Sequence, residues 1–348
     1  MHACLTVVTA YLFLSTGTAS QAPTAAELLD KWTQALDSCS SKSFIAKGES
    51  TTEHDYRFTN NPRRPGMQNI QDRGTSYRRV EYRTDGDRIY LREYSWGHIR
   101  AGDPSVSQER PFFWCLNYAG GKELYRHSQK VGEPGGAVMI SKVESYKMGA
   151  LDLNVQGYLL AGHERTDSVV RRARSLSVRP RMEGGGDREC YVLDAKTEGG
   201  SVSLWLDPAR GYRLARAELV AKAGDLEYGQ PLWAGEVHTV HFNGFRYEDV
   251  NGVWMPTEGN WASDLNYGDG SFTRSRVHYR RTQILLNPDH EALGSFLNPL
   301  EHPENDPELK NGVQVMKSDE RTRYLWQDGK LIPDESRKRS TRTPPVMR

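Results

Sequence analysis

Apolar and polar positions along this chain follow two different periods. Near the start, Ala25, Leu28, Leu29, Trp32 and Leu36 recur at three- and four-residue steps, which places them on one stripe of a helix. Thr24 followed three residues later by Glu27 has the spacing of a capping box, so a helix is predicted over Thr24–Ser38. Its other face carries Asp30, Lys31, Gln34 and Asp37, so the apolar stripe needs a flat apolar partner, most simply a sheet. Beyond it the period falls to two. Strands are predicted at Ser43–Thr51, Tyr77–Arg83, Arg88–Tyr94, Cys190–Thr197, Ser201–Leu206, Tyr212–Lys222, Val237–Tyr247, Val253–Trp261 and Ser271–Leu286. Turn residues sit between them: Thr84-Asp85-Gly86-Asp87, Glu198-Gly199-Gly200, Asp207 to Gly211, and Glu248 to Gly252. Successive hairpins give an antiparallel meander rather than βαβ units.

Other segments break this rhythm. A second helix is predicted around Leu151–Leu160, with Gly162 as its stop. Asn60–Gly74, with Pro62 and Pro65, and Arg181–Asp187, with three consecutive glycines, read as exposed loops. From Asn287 the chain turns rich in proline and acid, and Thr322–Ile332 reads as one more tight hairpin. No repeat of solenoid length is present.

Composition sharpens this picture. Aromatic residues make up 10% of the 348 residues, including 17 Tyr and 8 Trp, alongside 32 Gly and 17 Pro, a mixture that favours strands and turns over helices. The net charge of +1 points to no particular partner, but it is unevenly spread. Five of the 46 basic residues fall within 337–348, which holds no acid, so the remainder carries 41 basic against 45 acidic residues. That end reads as a basic, disordered, solvated tail.

Cys4 to Leu14 is an apolar run followed by Ser15-Thr16-Gly17-Thr18-Ala19-Ser20, the layout of a secretory signal with cleavage after Ala19, Ser20 or Ala22. The run is shorter than the ~20 residues a membrane span needs, and its leading segment, Met1-His2-Ala3, lacks the usual positive charge. An exported, periplasmic or secreted protein of the cell envelope is expected. Three cysteines would remain, Cys39, Cys115 and Cys190; an odd number leaves at least one thiol unpaired, and the spacing does not choose among pairings.

No reactive constellation emerges. His238 and His241 stand three apart on a predicted strand and so point to opposite faces, which argues against a shared metal ion. There is no Gly-x-Ser-x-Gly elbow, and Gly184-Gly185-Gly186 does not join a strand to a helix, as a phosphate-cradling loop would. Arg171, Arg172, Arg174, Arg78 and Arg79 lie in or beside strands and read as a solvated face or protected edge rather than a nucleic-acid surface. The expectation is a protein without catalytic residues, metal or cofactor. Trp32, Trp205, Trp254 and Trp261 are the candidates to wall a ligand cavity, as wide apolar groups on the helix and on strands.

The amphipathic helix feeding a long meander resembles the bacterial outer-membrane lipoprotein-sorting (LolA/LolB-like) proteins. Cys190-Tyr191-Val192-Leu193-Asp194-Ala195, then Val202-Ser203-Leu204-Trp205-Leu206-Asp207 and Gly211-Tyr212-Arg213-Leu214, resemble their paired strands, and Phe245-Arg246-Tyr247 to Trp254-Met255-Pro256 resembles the next hairpin. The resemblance implies a mainly β fold: a curved antiparallel sheet, or unclosed β-barrel, with the N-terminal amphipathic helix and a few short helices. It divides the chain into a signal peptide (1–20), a half-barrel (24–286), a C-terminal extension with a short hairpin (287–336) and the basic tail (337–348). It further implies a carrier that holds lipid or an acylated protein in an apolar cavity and touches membranes peripherally. The residues alone leave two other readings open: a secreted glycan-processing or other hydrolase, and a structural envelope component without a ligand.

Overall fold

In the computed structural model, residues 22–40, 42–59, 69–98, 107–118, 123–133, 136–142, 159, 164–185, 188–227, 229–318, 320 and 322–335 are described. The expected signal segment, the basic tail and nearly all of the helix expected at 151–160 lie outside them.

The capping box forms as read: the Thr24 backbone N–H donates to Glu27 Oε2 at 2.8 Å, and the Glu27 N–H donates to Thr24 Oγ1 at 3.3 Å. It opens helix α1, Ala25–Ser40. The chain then enters β1 (Phe44–Phe58) and proceeds through β2 (Ile70–Thr84), β3 (Ile89–His98), β4 (Ser107–Tyr118), β5 (Glu123–Lys130) and β6 (Ala137–Lys142), each antiparallel to the strand before it. A short helix α2 (Thr166–Arg171) leads to β7 (Ser175–Val178), β8 (Glu183–Gly184) and β9 (Glu189–Thr197), with β7 and β8 both pairing β9. A second meander follows: β10 (Gly200–Asp207), β11 (Arg213–Lys222), the small separate ribbon β12 (Leu226–Glu227) and β13 (Gln230–Pro231), then β14 (Val237–Val250), β15 (Val253–Asn266) and β16 (Phe272–Leu286). β17 (Gln314–Lys317), β18 (Arg323–Gln327) and β19 (Lys330–Pro333) follow.

The two meanders meet at β1. β16 runs antiparallel to β1 from Phe44↔Leu286 to Arg57↔Phe272, while β2 holds the other edge of β1 from Phe44↔Thr84 to Phe58↔Ile70. The result is one 17-stranded sheet that does not close into a barrel. Among the described strands one ladder, joining β17 to β6, is parallel, which makes the sheet mixed rather than wholly antiparallel as expected. Two expected loops are shorter than the sequence implied. β2 already begins at Ile70, and Glu183–Gly184 pair with Cys190 and Glu189. The tight turn into β10 depends on Gly200: its φ is +118°, and an added Cβ would meet the Val220 carbonyl oxygen at 2.4 Å.

Side chains alternate across this sheet and build separate cores on its two faces. On the inner face Leu193, Leu204, Leu206, Val240 and Phe242 form one cluster, and Phe44, Val80, Leu91, Leu116 and Met255 form the next. On the outer face, the neighbours of those residues on β3–β5, Tyr90, Cys115 and Tyr125, pack under Phe296, Leu309, Val313 and Trp326 from the segment after β16. Cys190, Val192 and Trp205 form a smaller outer cluster at the other end. Cys39, Cys115 and Cys190 are buried free thiols in three different clusters, with no bridge among them.

Candidate binding site

Among the described residues, the largest buried apolar cluster lies on the inner face of β9, β10, β11 and β14, and α1 lies across it. Leu28, Leu29 and Trp32 are at most 1% exposed, with Leu36 beside them, and they pack on Leu193, Val202, Leu204, Leu206, Ala217 and Phe242. At the end of the helix Cys39 enters the neighbouring inner cluster, its Sγ 3.3 Å from the Trp254 carbonyl oxygen and 3.6 Å from Met255 Sδ. The periodic stripe read from the sequence is the face that is buried.

What holds the helix elsewhere is polar and sits mostly at its rim. Lys31 Nζ donates to the Tyr212 hydroxyl at 2.9 Å. Asp30 meets Arg171 at 2.9 Å, and Asp37 accepts from Arg165 at 2.6 Å; each of these aspartates is more than half exposed. Such exposed pairs contribute at most about 1 kcal/mol each. The last turn of α1 contains no basic residue, and Arg213 of β11 serves it instead. Arg213 is 7% exposed and donates to the Ala35 carbonyl and, at 2.7 Å, to Ser38 Oγ, so one cation covers the carbonyl end of the helix.

The four tryptophans read as cavity candidates do not converge. Trp32 belongs to the helix and is enclosed against the inner face. Trp261, half-buried on β15, packs at the margin of the same cluster. Trp205 points to the outer face, beside Cys190 and Val192, with the guanidinium groups of Arg216 and Arg179 at 4.4 and 5.3 Å from its ring centre. Trp254 is half-buried near the tip of the β14–β15 hairpin, with the Arg210 guanidinium 5.6 Å from its ring. His238 and His241 go to different partners, Ser263 at 2.9 Å and Glu218 at 3.9 Å. Among the described residues, no group of three His, Cys, Asp or Glu is arranged to hold a metal ion.

A second concavity was not anticipated from the sequence. It holds about 850 Å³ and lies where the β14–β15 hairpin parts from its neighbours. The β11–β14 ladder stops at Ala217↔Phe242 and the β15–β16 ladder at Glu258↔Arg280, yet β14 and β15 stay paired on to Val250↔Val253. The gaps are bridged by side chains: the Tyr247 hydroxyl donates to the Leu214 carbonyl at 2.8 Å, and Arg281 Nη1 donates to the Pro256 carbonyl at 2.9 Å. None of the four tryptophans lines this cleft. The sequence signal for it was weak: the bulges at Asn243–Tyr247 that end the ladders surround Gly244, an interruption in an otherwise even strand pattern.

No family model and no curated protein matches the chain. Solved structures do. An outer membrane lipoprotein-sorting protein domain from Vibrio parahaemolyticus is 12% identical, with 76% of this chain and 94% of that chain covered and a TM-score of 0.34. MucB of Pseudomonas aeruginosa, solved in complex with MucA, is 12% identical over 75% of this chain and 99% of that chain, with a TM-score of 0.21. The ywiB protein of Bacillus subtilis is 8% identical over 69% and 94%, with a TM-score of 0.17. No residue role and no ligand is carried over from any of them.

Proposed function

We propose that this protein is a non-catalytic carrier of the cell envelope that takes up an acyl chain on the inner sheet face in exchange for its own helix α1. One observation carries this reading: a broad apolar face is covered chiefly by one 16-residue helix, with Val170 and Leu159 beside it, and apart from Arg213 the ties of that helix lie at its exposed rim. Burying Leu28, Leu29, Trp32, Leu36 and Cys39 stabilises the covered form by roughly 10 kcal/mol at about 2 kcal/mol per side chain. An acyl chain of about 14 carbons regains about 11 kcal/mol at about 0.8 kcal/mol per CH₂. The two occupants are closely matched, which is what a reversible carrier requires. Trp261 would then meet the ligand, while Trp32 would leave with the helix. A place in the envelope accords with the N-terminal apolar run.

The test weakens the helix without touching the sheet. Trp32→Ala removes about 3–5 kcal/mol of packing from the covered form. If a ligand competes with α1, that loss appears as tighter binding, because the open form is more populated. Titration with a fluorescent fatty acid should show micromolar binding to the wild-type chain and at least tenfold tighter binding to Trp32→Ala. Native mass spectrometry of the wild-type chain should show co-purified lipid. No probe binding by either protein sinks the reading, and equal affinities remove the helix from it.

A further inference from the structure

The cleft behind the β14–β15 hairpin differs chemically from the face under α1. Five guanidinium groups border it, from Arg188, Arg210, Arg246, Arg280 and Arg281, against two carboxylates, Glu248 and Glu258. Three of the five are engaged. Arg188 meets the buried Asp207 at 3.0 Å, Arg246 lies 3.4 Å from Glu258, and Arg281 holds the Pro256 carbonyl. The other two are differently placed. Arg280 is exposed and makes no ion pair among the described residues. Among the described residues Arg210 is steadied by aromatic faces alone, with its guanidinium 5.9 Å from the Tyr247 ring centre and 5.6 Å from that of Trp254. Contact with ring faces limits the motion of a guanidinium while leaving its fork of N–H donors open.

We infer that this cleft binds a phosphate-ester anion, with Arg210 and Arg280 as its principal donors. The planar fork matches two oxygens of a tetrahedral anion, and the excess of cations at the rim leaves the empty site with charge to neutralise. A volume of about 850 Å³ admits a group of sugar-phosphate or lipid-headgroup size. Gly185, Ala215 and Gly244 form part of its wall. The peeled hairpin makes the site, because a continuous ladder from β11 to β16 would close the gap with backbone hydrogen bonds. This inference is independent of what lies beneath α1.

Two probes and two paired variants test it on the full chain. Inorganic pyrophosphate, titrated calorimetrically at low salt, and vesicles containing phosphatidylglycerol, against vesicles of phosphatidylcholine alone, present the same chemistry from a free and a membrane source. Arg210→Gln/Arg280→Gln should weaken binding by at least about tenfold, the scale of losing a charge-assisted hydrogen bond. Arg274→Gln/Arg276→Gln removes the same charge from the β16 residues that pair with Asp264, away from the cleft, and should leave binding unchanged. A thermal melt checks that both variants fold. Loss with pyrophosphate supports a free phosphate ester, and loss only with the anionic vesicles supports a lipid headgroup. If neither probe binds the wild-type chain, or if both variants weaken binding equally, the cleft is an ordinary solvated basic surface and the inference fails.

Discussion

Two glutamates on adjacent strands show how far a single environment sets a residue's behaviour. Glu81 and Glu93 are both burdened by burial, which raises a carboxyl's pKa. At Glu81 the opposing pull is stronger: Arg83 and Arg92 approach its two oxygens at 2.6 Å each and bring it below the ordinary value. Among the described residues Glu93 has only Arg78 at 3.6 Å and its Oε2 has no partner, and burial keeps it above the ordinary value. For a carboxyl raised in the folded state, the penalty is absent below the unfolded pKa and complete above the folded one. Glu93→Gln should therefore raise stability at pH 7 by about 1 kcal/mol, the scale of one ill-paired buried acceptor. Chemical denaturation should show the gain vanishing near pH 4, and a gain that persists there would refute the assignment. None of this was legible in the sequence, where both residues sit in similar polar-apolar alternation. The tryptophans teach the same lesson. Trp32 could be placed because helical periodicity fixes its face, whereas the outcome at Trp205 turned on which of two buried faces of β10 it took.

Among the elements, α1 and most long strands bounded by tight turns were read from the sequence, and the strands beneath the segment after β16 were not. α1, β3 and the long strands from β9 to β16 lie close to where a helical stripe or alternation put them, while β2 begins well before its predicted start and β12 and β13 were not read. β4, β5 and β6 went unpredicted. In β4, Phe113, Cys115, Leu116, Asn117 and Tyr118 are all buried, so no alternation survives. The cause is the segment after β16, which returns across the outer face, so the missing information lay some 180 residues further along the chain. Its anchor is polar and fully enclosed. Asp306 Oδ2 accepts from the Tyr125 hydroxyl at 2.6 Å and lies 2.8 Å from His127 Nδ1, and Gln129 donates to the Glu308 carbonyl at 2.9 Å. Asp306→Ala strands both partners in a dry site and should cost about 2–4 kcal/mol in urea denaturation. A loss below about 0.5 kcal/mol would show that the apolar contacts of Phe296, Leu309 and Trp326 hold the segment by themselves.

At the scale of the whole molecule, the decisive contact is the one between the two meanders. Hairpins bring neighbours together cheaply, but Phe44↔Leu286 joins the first described strand to the last strand of the second meander. Loop closure on that scale has to precede the contacts that stabilise it, so refolding should be slow. Stopped-flow tryptophan fluorescence should show the main phase in seconds or longer. Completion within about a millisecond would mean that the β1–β16 ladder contributes little to the barrier.

The position of β1 also has a consequence for how this protein is made. Of the described strands it is the first to leave the ribosome, yet its second edge waits for β16, the last of the long described strands to appear. Throughout synthesis and any passage across a membrane, a fifteen-residue edge stands unpaired beside a half-built sheet, a template for any stray extended segment. The nascent chain must therefore be shielded or kept unfolded until both halves have arrived, and a holding chaperone would be expected to grip the emerging chain at that edge.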